Sequence, residues 1–137
     1  YMRPSTRILI LSAENTLASR MVEHIRHILE NHPWCSDMVP KNKKQWASTH
    51  ITINRPIGTR EPSVVCQGIH GNITGMRADL IICDDVEVPN TSNTLQKRTD
   101  LRDRLRELDF ILSPTGTMIY IGTPHTMDTI YCTTDDA

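Results

Sequence analysis

The chain has 137 residues, enough for one domain with a buried core, and its 38% apolar content is too rich for a disordered segment. A formal net charge of −1 leaves no bulk field to draw in nucleic acid or a membrane surface, so any phosphate contact must come from a local cluster. The four cysteines, Cys35, Cys66, Cys83 and Cys132, form no CxxC pair and suit a reducing cytosol, and neither a membrane-span length of apolar residues nor a signal-peptide start is present.

The chain opens at Tyr1, almost directly before a strand, and stops in Asp135-Asp136-Ala137, ends that read as cut from something longer. Arg7 to Leu11 is an apolar strand that breaks into Ser12-Ala13-Glu14-Asn15. The period then becomes helical, with Leu17, Met21, Ile25, Ile28 and Leu29 on one face, Asn15 as N-cap and Pro33 as the stop. Strand, tight turn and amphipathic helix make the opening half of a βαβ unit. His24 and His27 stand three apart on this helix, with no third metal ligand near them in sequence.

Residues 33–44 are polar and turn-rich, and Lys41, Lys43 and Lys44 are the local basic cluster, a solvated loop by composition. Gln45 to Ile53 alternates enough to predict a strand, with Ser63 to Gln67 as its partner across a Pro- and Gly-containing loop. That pair is expected as a β-hairpin inserted on the sheet's edge. Gly68 to Gly75 is glycine-rich but is not a P-loop, because GxxxxGK[ST] needs a Lys and a Ser or Thr where Met76 and Arg77 stand. It leads directly into the next strand and is expected to be a flexible approach to the site, with Arg77 a candidate phosphate contact.

The most informative stretch is residues 79–88. Leu80 to Cys83 suits a strand buried on both faces of a parallel sheet, and Asp84 and Asp85 stand at its carboxyl end. A hydrophobic strand closed by two carboxylates is the Walker B pattern, in which one acid binds magnesium, often through water, and its neighbour orients the attacking water. Glu87 is a second candidate base.

A dense turn signal follows from Pro89 to Thr94, with Asn93 and Gln96 spaced as a capping box. A helix carrying Leu101, Leu105, Leu108 and Leu112 comes next, and its charges from Arg98 to Glu107 read as a solvated face laced with ion pairs. Ser113 to Gly116 is a turn, and Thr117 to Ile121 is a strand ending in Gly122-Thr123-Pro124-His125. Three strands thus run from apolar cores into Ser12 and Glu14, Asp84 and Asp85, and Thr123, and a parallel sheet would gather these on one rim. There the Thr123 hydroxyl could hydrogen-bond an attacking water or a terminal phosphate.

Gly75 to Glu87, the Asn- and Thr-rich turn before a charged helix, and Ile119 to Pro124 together resemble the ATPase domain of the large terminase subunit of tailed bacteriophages. The resemblance covers most of the chain, with Arg7 to Arg20 similar to the strand and helix that follow the P-loop. It implies an α/β fold, a partial P-loop (ASCE-type) ATPase core with a mainly parallel sheet flanked by helices. On this likeness residues 1–137 are part of a motor domain, with the P-loop upstream and a nuclease domain downstream.

It implies ATP and Mg2+, Asp84 as the magnesium-linked acid, Asp85 where many members have the catalytic glutamate, and Thr123 as the coupling residue. Asp85 is one carbon shorter than glutamate, so either the water sits closer or Glu87 contributes. The implied partners are double-stranded DNA, the portal protein, the small terminase subunit and further copies in a ring, with no membrane. The implied place is the cytoplasm of the infected bacterial host, at the procapsid portal and outside the virion. Lacking GxxxxGK[ST], the chain by itself is expected not to hydrolyse ATP. The rival readings are a helicase-like translocase and a non-catalytic nucleic-acid or protein-binding module with structural acids.

Overall fold

Leu9, Ile10 and Leu11 are at most 2% exposed, the centre of a strand covered on both faces. A computed structural model describes residues 3–56 and 58–131 of the chain; Cys132 and the two ends lie outside the described residues. The strand is β1 (Ile8–Ser12), flanked in parallel by β3 (Val64–Gly68) and β4 (Ala78–Asp84), with β5 (Leu112–Ile121) parallel to β4. A two-residue strand, β2 (His50–Ile51), pairs antiparallel with β3, so the order across the sheet is β2-β3-β1-β4-β5. The chain is α/β, with a mostly parallel sheet flanked by helices.

Each face of β1 has its own helix. Helix α1 (Asn15–Asn31) packs Ala18, Val22 and Leu29 with Ile10, Val64 and Cys66. A short helix α2 (Pro89–Ser92) precedes α3 (Leu95–Leu108), which packs Leu101, Leu105 and Leu108 with Leu9, Leu11, Ile81 and Cys83 on the opposite face. Burying each leucine, isoleucine or valine among these is worth about 2 kcal/mol, so the two apolar layers outweigh any single polar contact.

The buried stripe of α1 is turned by one residue from the one the sequence suggests. Leu17 and Ile28 are 42% and 43% exposed, while Ala18 and Val22 are fully buried, because a small residue lets the helix come closer to the sheet. The cap also differs. Glu14 is the N-cap and makes no side-chain cap bond, and Asn15 Oδ1 instead accepts the Gly68 amide at 2.6 Å, tying the start of α1 to the end of β3. At α3 the capping residue is Thr94, whose hydroxyl accepts the Lys97 amide, not Asn93.

Gln45 to Ile53 is not one strand. It folds back on itself through a bridge between Trp46 and Ile51, and Thr52 N donates to Gln45 O at 2.8 Å. The long-loop β2–β3 hairpin does form, but β3 is an interior strand paired with β1 rather than part of an edge insertion. Leu112 begins β5 instead of closing α3, and the Ser113–Gly116 turn survives as an irregularity in the β4–β5 register. β4 is buried on its α3 side only; Leu80 and Ile82 on the other side are half-buried, and beside Ile82 on the edge strand Ile119 is 40% exposed.

The glycine-rich stretch crosses from the carboxyl end of β3 to the amino end of β4, and it is packed. Ile69 and Ile73 are in the core, and the Arg104 guanidinium donates to the Ile69 and Gly71 carbonyls, at 2.8 Å to the first. A flexible approach to a site is therefore the wrong description.

At the amino ends of the strands Arg7 joins β1 to β4. Its Nη2 lies 2.8 Å from Asp79 Oδ1, its Nε and backbone N donate to Oδ2 at 3.0 and 2.9 Å, and Ser113 Oγ donates to Oδ1 at 2.9 Å. This bidentate pair holds the Asp79 carboxyl well below the usual range, with the Arg7 side-chain bond the largest cause. Because the folded pKa is depressed, the stabilisation is complete above the ordinary carboxylate pKa of about 3.9 and is lost as pH falls below it. Asp79→Asn should cost about 1.5 kcal/mol at neutral pH, read as a lower urea midpoint. The gap from wild type should shrink as the buffer is taken below about pH 4.

Candidate functional site

Because β1, β3, β4 and β5 run the same way, their carboxyl ends share one rim. Ser12 ends β1, buried, with its carbonyl accepting the Ile69 amide at 2.7 Å. Asp84 ends β4 opposite Ile121 of β5, so Asp85 and Gly122-Thr123 are carried to the same place. The strand ends share one rim as the sequence predicts, with Asp84 and Asp85 next to Ile121 and Gly122, and Thr123 follows directly in the chain.

The acid pair is strained in two ways. Burial, and second the Asp85 charge, raise the Asp84 pKa above the ordinary carboxylate value. Asp85 is exposed and has φ +45°, and it is the one non-glycine residue with positive φ among those described. Left-handed backbone costs about 1–2 kcal/mol for most L-residues, less for Asp and Asn. It persists because the Asp85 amide donates to Ile121 O at 2.8 Å, continuing the β4–β5 pairing through the turn. The turn holds the Asp85 carboxylate outward at the rim.

Beyond β5 the chain folds back over this turn as a strap, residues 123–131. Tyr131 lies against Gly122, where a Cβ would overlap the phenol and meet Asp85 Oδ1 at 3.2 Å. The strap is fastened by Glu87. This side chain is 1% exposed; Oε1 accepts the His125 amide at 3.1 Å, and Oε2 accepts the Thr129 hydroxyl at 3.0 Å and the Ile130 amide at 2.7 Å. Glu87 is thus sealed from water and occupied, and is not available as the second base that the sequence allows. Thr129 and Tyr131 were not distinguishable in the sequence, since no motif marks them.

No family model matches the chain. Over 135 residues it is 34% identical to the large terminase subunit of Enterobacteria phage T3, an alignment covering 97% of this chain and 23% of that protein. The chain belongs to the phage large terminase family. It spans about a quarter of the length of that relative. The resemblance carried by residues 75–87 and 119–124 is borne out at the level of the family.

Other residues singled out in this terminase sequence stand away from the rim. Arg77 is at the amino end of β4, with its guanidinium on the Met76 carbonyl at 3.0 Å. β4 then runs about 20 Å before the acids, so a contact from Arg77 to a phosphate at the rim is ruled out. Lys43 pairs with Glu30 near the far end of α1, at 2.9 Å. His27 bonds Asn31, and among the described residues no group of three His, Cys, Asp or Glu is placed to hold a metal. His125 reaches the strap lock through its backbone amide alone. Cys35, Cys66 and Cys83 are free thiols, and burial pushes Cys83 up to about 12.

A raised carboxylate pKa means that the fold gives up stability as pH rises through the Asp84 titration. Asp85→Asn should bring the Asp84 pKa down toward the ordinary value, read by carboxyl 13C NMR, because one of its two causes is removed. Asp85→Ala should destabilise by about 1 kcal/mol more than Asp85→Asn, since alanine tolerates the left-handed turn less well.

Proposed function

We propose that this chain forms part of the ATP-driven motor of a phage large terminase subunit, the machine that moves double-stranded DNA into a procapsid. The observation that carries the reading is the acid pair at the end of β4, held in a strained turn beside Gly122-Thr123 on the common rim. Two carboxylates, with no third protein ligand beside them among the described residues, suit Mg2+, which keeps several waters and takes its other ligands from substrate phosphates. Asp84 would hold the ion, which when bound neutralises charge on the phosphates. Asp85 would accept a proton from, or orient, the attacking water, and Thr123 would contact that water or the terminal phosphate.

The sequence holds no GxxxxGK[ST] phosphate loop, and the reading is a partial P-loop (ASCE-type) core. The free edge of β5 and the half-bare face around Ile82, Ile119 and Ile121 supply room for a further strand and helix, which fits a P-loop contributed by a preceding part of the protein. A nuclease domain would follow. The partners are the portal protein, the small terminase subunit and other copies of the motor in a ring, in the cytoplasm of the infected host. No described helix is long and apolar enough to cross a membrane.

Asp84→Asn in the full-length protein should lower magnesium-dependent ATP turnover about a hundredfold or more, about 2.7 kcal/mol of barrier. Stability should hold or rise, because burial and the Asp85 charge both disfavour the ionised form. Turnover at the wild-type rate would leave a binding module with structural acids. The chain of 137 residues alone should show no turnover, since it holds no lysine-bearing phosphate loop.

A further inference from the structure

Glu87 buries a carboxylate with no cation within salt-bridge distance among the described residues, the Arg102 charge acting on it only from farther off, an arrangement that costs several kcal/mol unless hydrogen bonds compensate. The compensation is local and directed. Two of its three donors are backbone amides, those of His125 and Ile130, in a strap with no helix or sheet of its own to satisfy them. The third is the buried Thr129 hydroxyl. Glu87 lies two residues past Asp85, with the intervening Val86 fully buried, so the acid turn and the base of this lock are one rigid piece.

A second fastening holds the outside of the strap. Asp128 accepts from Arg98 at 3.3 Å and from Arg102 at 2.6 Å, both on α3. Asp128 is more than half exposed, so this fastening is the weaker of the two. At one end of the strap Tyr131 lies over Gly122 with its hydroxyl 3.5 Å from the Ile121 carbonyl, and at the other end Thr123 leaves the rim.

We infer that Glu87 is a positioning residue: its buried carboxylate clamps residues 125–130 onto the acid turn and so sets Thr123 and Tyr131 relative to Asp85. The inference rests on the ATPase reading for its kinetic consequence and on geometry alone for the clamp. An apolar side chain of the same volume would fill the space and leave two strap amides without acceptors. Glu87 touches no reacting atom, and its effect runs through the strap.

The test uses Glu87→Gln and the milder Thr129→Val in the full-length subunit, with ATP kinetics, thermal melting and amide hydrogen exchange. For Glu87→Gln the clamp predicts at least tenfold faster exchange across residues 122–131, unchanged protection in β1 and β4, and kcat lowered about tenfold with KM for ATP within twofold. Thr129→Val should fall between it and wild type on each measure. Unchanged exchange in the strap overturns the inference, as does a loosened strap with wild-type kcat. A parallel loss of kcat, β1 and β4 protection and melting temperature makes Glu87 a plain support of the fold and overturns it too. A wild-type protein without ATP turnover refutes the ATPase reading and the kinetic half of this inference, while the exchange measurement still decides the clamp.

Discussion

The parallel setting of β1 between β3 and β4 is the constraint on which the rest depends. Leu9 and Leu11 face one layer and Ile10 the other, so the strand loses contact with water only if a helix covers each side. Parallel pairing also forces all the carboxyl ends to one side, and the chain must cross the sheet between strands. The connection from β3 to β4 does this without a helix, and Ile69, Ile73 and the Arg104 bonds to its carbonyls supply what a helix would have supplied.

The two ends of the sheet use charge differently. At the amino ends Arg7 and Asp79 satisfy each other, which stabilises the sheet and leaves both side chains chemically quiet. At the carboxyl ends Asp84 and Asp85 stand side by side with no cation within salt-bridge distance among the described residues, and Asp85 occupies backbone space that most residues avoid. The apolar layers are large enough to carry that strain, since each buried aliphatic side chain is worth about as much as the turn costs. Strain concentrated at one turn and absent from the opposite edge is the pattern expected where the arrangement serves chemistry.

Three arginines of α3 illustrate how a charged helix face can be structural without being a simple solvated surface. Arg98 and Arg102 hold Asp128 in the strap, and Arg104 holds the crossover loop. In-helix ion pairs are present as well, between Arg106 and Asp103 and between Arg104 and Glu107. The helix therefore braces both irregular segments next to the rim, one on each side of β4. The match to a phage large terminase subunit runs along nearly the whole chain, and the braced rim is the part of it that carries the acid pair.

The sequence by itself determined the strand cores, the helices, the parallel character of the sheet and the acid pair at its rim. Those features are written in local periodicity and in apolar runs that stop at polar residues, and both survive whatever packs around them. Tertiary structure decided which face of α1 is buried, because Ala18 and Val22 win that place by size and closeness, and hydrophobicity alone favours Leu17 and Ile28. It decided that β3 is interior, since register and neighbour choice depend on strands far apart in sequence. It also decided the fate of Glu87, which in sequence is one more acid after two others. Only a strap returning about forty residues later with two unpaired amides and a hydroxyl turns it into a buried lock.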